Sequence, residues 1–599
     1  MSKINNFRKK LYYIALSILL CGTLLEIFLR LTFSDNGRLV SFGHNQDNII
    51  LPLFDLFLYQ IVILCLAALV APVLPDLIKH KMSNLFKFKP IIFLILIFSF
   101  ILITTNLISY FVLEHFPRDV DNIARLFQSH TFATGYFYVD PPPIPEAFSV
   151  PAVLVKDGKM YSKYEPGSSF VYAIWRKVLG IQWGVNPFLG AIILVILYRI
   201  LKTWYDERVV RLTLILICLS PFFLFMSAEF HSHLPCLFFI VVFILFLILG
   251  RQKKKWYYFP LSGFCLGMAF TVRTYTPFLV SLPFIVWFCT QNRFKGIFKR
   301  LLFFSIGFIL PLSALLYYNY VLTGHPLNIP FLVANPQEKV GFGYSGHTLL
   351  KGIINTKEMV QLLNLNLFGW PCSLFFIVLF ILIGKKHRWD ILLLASILCL
   401  IIGYGFYYWI DFSFGPRFYF EMLPFIVLLA ARGMVSFPEY LHKIGFKSIG
   451  QDKLMNFVIC VVVFSFMFSF IFYMGPIIKM YHKDYNNIVN TKVASLAKSN
   501  QIANALVFMK DPEGFNTYAS GFLANDLDFH GDVVYVRDRG EEANKEVMTF
   551  YPDRTYYQFE FNRENREGKF TKLGRTPLNK IKQEFSSISV RLITFRLTV

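Results

Sequence analysis

Charge is what this sequence is shortest of. Only 16% of its 599 residues are Asp, Glu, Lys or Arg, against 55% hydrophobic, and the mean hydropathy is +0.52. A soluble domain cannot hydrate its surface with so little charge, so that class is excluded. Acids are the scarcer sign, 37 against 59 Lys and Arg, for a formal net charge of +22. Basicity of that size first suggests nucleic acid. The basic residues, however, come in short clusters between long apolar runs, which is the pattern of a membrane protein. Cysteine is sparse too. Cys21, Cys65, Cys218, Cys236, Cys265, Cys289, Cys372, Cys399 and Cys460 each sit in or beside an apolar run, and no Cys-x-x-Cys occurs. They read as small core residues. No small-residue cleavage site follows the first apolar run, which ends at Phe28-Leu29-Arg30, so that run reads as a retained helix. No internal repeat or inverted pseudo-symmetry is visible.

A spanning helix needs about 20 apolar residues. Thirteen stretches are candidates, centred near residues 20, 64, 102, 193, 219, 242, 265, 283, 311, 376, 400, 427 and 465. When they alternate sides, the N-terminus and the even-to-odd connections share one side. That side holds Lys3, Arg8, Lys9 and Lys10; Lys79, Lys81, Lys87 and Lys89; Arg251, Lys253, Lys254 and Lys255; Arg293, Lys295, Lys299 and Arg300; and Lys385, Lys386 and Arg388. Basic clusters mark the cytoplasm, so the N-terminus is expected there. Loops 114–166 and 323–366 and the tail from 479 onward then face outward. The tail has short strand-like runs, Ala505–Met509, Asp532–Val536 and Tyr556–Phe561. The expected architecture is an all-α polytopic membrane protein of about 13 transmembrane helices with a small C-terminal α/β domain outside the membrane. The division is residues 1–90 for extra helices, 91–478 for the membrane core and 479–599 for the outer domain.

The outward segments hold the residues suited to chemistry. Asp119 and Asp121 follow the third apolar stretch, where partial desolvation raises a carboxylate's basicity; an ordinary loop with Arg partners is the plainer account. Lys163 and Tyr164 enter an amphipathic stretch, Ser169–Leu179, where Lys meets lipid phosphate or simply snorkels. Arg273 and Tyr275 interrupt the apolar run Phe264–Val286, and an intramembrane Arg usually faces a cavity or an anion. Arg417 has Asp411 and Glu421 nearby, and an Arg417–Glu421 pair four residues apart on a helix is its structural account. Glu229, His231 and His233 fill a tight turn that could bind a divalent ion, although a surface turn or a hydrogen-bonding site is commoner.

In this order the motifs resemble the GT-C superfamily of polyprenyl-phosphate-sugar-dependent glycosyltransferases, which includes protein O-mannosyltransferases and the lipid A aminoarabinose transferase. The resemblance covers roughly residues 95–435. Asp121-Asn122-Ile123-Ala124-Arg125-Leu126-Phe127-Gln128 resembles the family's Asp-x-x-Ala-x-x-Phe-Gln, and Lys163-Tyr164-Glu165-Pro166-Gly167 its Lys-Tyr-Pro-Pro. Ser220-Pro221-Phe222 through His233, Arg273 ahead of Thr276 and Pro277, and Asn319 with Thr323-Gly324-His325-Pro326 follow in family order. Asn335-Pro336 with Gly341-Phe342-Gly343, and Gly415-Pro416-Arg417 through Ala431-Arg432-Gly433, complete it.

The resemblance implies a GT-C fold in a cell inner (plasma) membrane and transfer of a sugar from a polyprenyl phosphate to an outer glycan, lipid or protein. Asp121 takes the catalytic carboxylate's place, with Asp119 beside it. Inversion at the anomeric carbon would follow, with Lys163, Arg273 and Arg417 on the donor phosphate. Some relatives use a divalent cation and others do not; Asp119, Asp121, His231 and His233 are the groups that could hold one. The rival reading is a flippase or exporter of a lipid-linked saccharide, which should carry charge on pathways to both faces.

Overall fold

The computed structural model describes residues 53–73, 88–290, 296–443, 450–482, 485–511 and 516–574. The apolar stretch near residue 20 lies outside them, as do Lys3, Arg8, Lys9, Lys10, Lys79, Lys81, Lys87, Arg293 and Lys295. The other twelve stretches each coincide with an apolar helix or a bent helix pair. Six described helices are long and apolar enough to cross a membrane, or seven if Glu207–Cys218 and Pro221–Ala228, bent by 59°, form one span. The rest are short, down to the nine residues of Phe375–Ile383.

Helix Pro90–Phe111 shows why this is a multi-pass membrane protein. Phe93, Ile97, Ile101, Thr105 and Ser109 recur every fourth residue and are buried. The opposite face, Ile91, Ile95, Ile103, Leu107 and Phe111, is exposed and just as apolar. A helix apolar all round, yet exposed on one side, suits lipid and not water.

The chain divides into two compact units. The first comprises residues up to Val112, Trp183–Leu316 and Asn335–Tyr481. Its helices close on small residues. A Cβ on Gly307 would meet the backbone of Pro260, and one on Gly263 the backbone of Phe304, so helices Tyr258–Val272 and Ile297–Thr323 touch through glycine.

The second unit comprises Leu113–Gln182, Tyr317–Ala334 and the chain from His482 onward. A hairpin, β1 (Val153–Lys156) and β2 (Lys159–Ser162), turns at Asp157-Gly158, both with positive φ as such a turn requires. The tail forms a four-stranded sheet, β3 (Ala505–Met509), β4 (Val533–Arg537), β5 (Thr555–Asn562) and β6 (Glu567–Gly574), in the order β4-β3-β5-β6. The first three are parallel and β6 returns antiparallel. Central β3 is buried along its whole length, as a continuous apolar run between two strands and their covering helices should be. Its core also takes Ile123 and Phe127 from helix Val120–Ala133, and Phe148. Phe127 meets Phe522 at 5.3 Å between ring centroids, and Phe148 meets Phe529 at 4.7 Å. The sheet of the tail is thus the platform on which the Asp121 helix is built.

Candidate functional site

In the second unit, Asp119 starts the helix Val120–Ala133. It is extended, and its carboxylate accepts from the backbone N–H of Asp121 at 3.0 Å, which is an N-cap. Asp121 falls in the first turn, where the helix dipole favours its negative charge. The Tyr164 hydroxyl donates to Asp121 Oδ1. Burial, and then the charge of Asp121, push the Tyr164 phenol well above its ordinary range, so it stays protonated and keeps donating. The Arg125 guanidinium lies 4.2 Å from the Tyr164 ring centroid and donates to Asn122 Oδ1 at 2.9 Å. Lys163 Nζ stands 5.3 Å from the Tyr164 ring and 5.0 Å from that of Phe331.

The Asp121–Gln128 stretch gains a physical account. Ala124 is fully buried and Phe127 anchors the helix in the sheet core. Gln128 donates to Phe137 O at 2.7 Å and accepts from Ser162 N–H at 2.9 Å, tying the helix to β2 just ahead of Lys163 and Tyr164.

In the first unit, Arg273 ends helix Tyr258–Val272 in an extended conformation. Its guanidinium donates to Thr276 Oγ1 at 3.3 Å, and to Ser232 Oγ, His233 Nε2 and Tyr404 Oη at 3.4 Å each. The Glu421 carboxylate is 3.7 Å away. These are long contacts, near the limit for a hydrogen bond. His233 Nδ1 meets Glu421 Oε1 at 2.9 Å. Arg can only donate, so Nε2 of His233 accepts and Nδ1 carries the proton given to Glu421. Tyr404 Oη meets Thr276 Oγ1 at 2.6 Å, and its ring stacks on Phe418 at 4.8 Å.

Two expectations change here. Arg417 is ion-paired with Asp411 and not with Glu421. The segment Arg417–Met422 is a 3-10 helix, whose tighter winding takes residues four apart off a common face. The turn at Glu229–His233 is buried and not on the surface. His231 Nε2 meets Ser413 Oγ at 2.9 Å, and Asn186 donates to the carbonyls of Glu229 and His231 at 2.5 and 2.9 Å. The Glu229 carboxylate accepts from Phe230 N–H. Among the described residues no three His, Cys, Asp or Glu side chains are grouped so as to hold a metal ion. Tyr275 donates to Gly403 O at 2.7 Å and so fastens two helices. Glu421, Tyr404 and Phe331 were not among the expected site residues. A lone carboxylate in the apolar run Phe418–Leu428 was the signal for Glu421; Tyr404 and Phe331 gave none.

The helical architecture is shared, at low sequence identity, with a solved membrane protein. Residues 185–318 match the family model described as dolichyl-phosphate-mannose-protein mannosyltransferase, and residues 505–574 match a domain of unknown function (DUF7846). No curated protein matches the sequence. The structure is similar to that of ArnT from Cupriavidus metallidurans bound to undecaprenyl phosphate, at 10% identity over 78% of this chain and 92% of that one, TM-score 0.50. Apo ArnT from the same organism gives 12% identity over the same shares, TM-score 0.48. The Archaeoglobus fulgidus oligosaccharyltransferase in complex with Zn and sulfate gives 12% identity over 80% of this chain and 74% of that one, TM-score 0.42.

Proposed function

We propose that this protein is a membrane glycosyltransferase that moves a sugar from a polyprenyl phosphate to an acceptor outside the cytoplasm. The observation that carries the reading is Asp121, held at a helix N-terminus by a Tyr164 phenol that stays protonated. Asp121 takes the acceptor's hydroxyl proton. The acceptor oxygen bonds to the anomeric carbon as that carbon's bond to the phosphate oxygen breaks, which inverts the centre. The leaving group is a phosphate, already a weak base, so it needs cations more than an acid. Lys163, Arg273 and Arg417 supply them, and Arg suits bidentate phosphate contacts. The long bonds of Arg273 favour this role, because weak contacts are readily exchanged for phosphate oxygens. Donors of this kind include mannose- and aminoarabinose-type sugars.

The test is transfer by the purified protein in nanodiscs, from radiolabelled polyprenyl-phosphate sugars to membrane glycolipids and proteins. Wild type should transfer, and folded Asp121→Asn should lose about 10²–10⁴-fold. No transfer across the panel, with signal in a lipid-flipping assay, would move the reading to transport.

A further inference from the structure

Three helices of the membrane unit reach the Arg273 cluster at one end and a second cluster at the other. His233–Lys253 brings His233 to the first and Arg251 to the second. Tyr275–Thr290 brings Thr276 and then Trp287. Arg388–Gly405 runs the other way, from Arg388 and Trp389 to Tyr404. At 1.5 Å per residue, His233 and Arg251 are about 27 Å apart and Arg388 and Tyr404 about 24 Å. That is close to the hydrocarbon thickness of a bilayer, about 30 Å. The second cluster therefore lies near the opposite membrane surface.

Its chemistry is cationic and aromatic. The Arg251 guanidinium lies 4.2 Å from the Trp287 ring centroid and that of Arg388 4.9 Å from Trp389. Trp287 and Trp389 are 5.1 Å apart, and Trp204 stacks on Trp389 at 4.6 Å. Arg251 feels the repulsion of both Arg388 and Arg300. The neighbouring carboxylate, Asp390, is already engaged. It accepts from Tyr205 at 2.9 Å, Arg432 at 3.1 Å and His387 N–H at 2.6 Å. Among the described residues neither Arg251 nor Arg388 has a carboxylate partner. The indole N–H of Trp204 is buried without an acceptor among them. Like charges gathered from separate helices at a membrane surface, over tryptophans that suit the headgroup level, lack one thing: an anion.

We propose that this end is a binding site for the phosphate of an anionic phospholipid headgroup, in the leaflet opposite the Arg273 cluster. The bilayer supplies such a ligand at high local concentration, and a phosphodiester can accept from both guanidinium groups while its tails follow the exposed apolar helix faces. The site stands apart from sugar transfer and does not depend on it.

The test uses the full chain in nanodiscs of zwitterionic phosphatidylcholine with a minority of phosphatidylglycerol. One or the other lipid is brominated near the glycerol, so that it quenches nearby tryptophan. Subtracting a Trp287→Phe/Trp389→Phe variant isolates these two of the eight tryptophans. Brominated phosphatidylglycerol should quench them as though enriched on the order of tenfold over its bulk share. Arg251→Gln/Arg388→Gln should abolish the enrichment, and Arg251→Lys/Arg388→Lys should keep part of it. Equal quenching by the two lipids in wild type, or enrichment unchanged in the Gln variant, overturns the proposal. Release of the quenching by millimolar inorganic phosphate at constant ionic strength would make it a site for free phosphate, and overturns the lipid assignment.

Discussion

The same three helices end in two arginine clusters that handle charge in opposite ways. Around Arg273 the protein supplies the counter-charge itself. Fully buried Glu421 stands 3.7 Å away, and His233 and Tyr404 fill the remaining directions. Around Arg251 and Arg388 it supplies tryptophan faces and leaves its carboxylate, Asp390, to Arg432. The difference follows from burial. A guanidinium inside the bundle cannot wait for a ligand, because an uncompensated buried charge costs several kcal/mol. An arginine at the lipid surface can wait, because headgroups and water are always at hand.

The sharpest way to break this comparison is Glu421→Gln. It leaves buried His233 and partly buried Arg273 without their carboxylate, and breaking such a pair costs about 3–5 kcal/mol. Thermal unfolding in detergent should show that loss, and transfer by the surviving folded protein should fall about 100-fold as Arg273 loses its orientation. Arg251→Gln/Arg388→Gln, in a purely zwitterionic bilayer, should shift stability by less than about 1 kcal/mol. If it destabilises as much as Glu421→Gln, the two ends are built alike and the contrast fails. Between these lies Tyr404→Phe. It removes the hydroxyl shared with Thr276 and Arg273 but keeps the stack on Phe418, so a cost of about 1 kcal/mol is expected from the same unfolding curves.

Hydropathy made the apolar helices legible because amplitude alone carries that signal. It could not say that Tyr258–Val272 has only 15 residues or that Phe375–Ile383 has nine, since an apolar flank looks the same whether helical or not. Strand β3 was readable as Ala505–Met509 because it is uninterrupted and wholly buried. Strand β6 was not, because Glu567–Gly574 is an edge strand carrying Lys569 and Lys572 and has no buried alternation. The β1–β2 hairpin is present in the sequence as Val153–Lys156 and Lys159–Ser162 around Asp157-Gly158, a turn signal between two very short runs. Of the expected site residues, Asp121, Lys163, Arg273 and Arg417 could be picked out as charges in unusual places. Their partners could not. Glu421 meets His233 across 188 residues, and Tyr404 meets Thr276 across 128. Deleting the tail would strip Ile123, Phe127 and Phe148 of the core they pack in.

The comparison extends to the second unit, where two arginines and a lysine share one carboxylate. Glu114 lies 3.0 Å from Arg118, 3.1 Å from Arg566 and 3.4 Å from Lys492. Partial burial works against its ionisation, but the charges of Arg566, Arg118 and Lys492 together hold the carboxyl below its usual value of 4.5. A carboxylate with a depressed folded pKa contributes stability that is fully present above its unfolded pKa and is lost as pH falls through the folded one. Glu114→Gln should therefore cost about 1–2 kcal/mol at neutral pH, measured by thermal unfolding. The gap to wild type should be constant above the carboxyl's usual value of 4.5 and close as pH falls below it. Arg118 keeps its bonds to Ile488 O and Leu113 O at 3.2 and 3.1 Å, which is why the loss stays below that of Glu421→Gln. A gap that widens in acid would mean the three cations do not stabilise the Glu114 carboxylate, and that Arg118 and Arg566 are no better matched than Arg251.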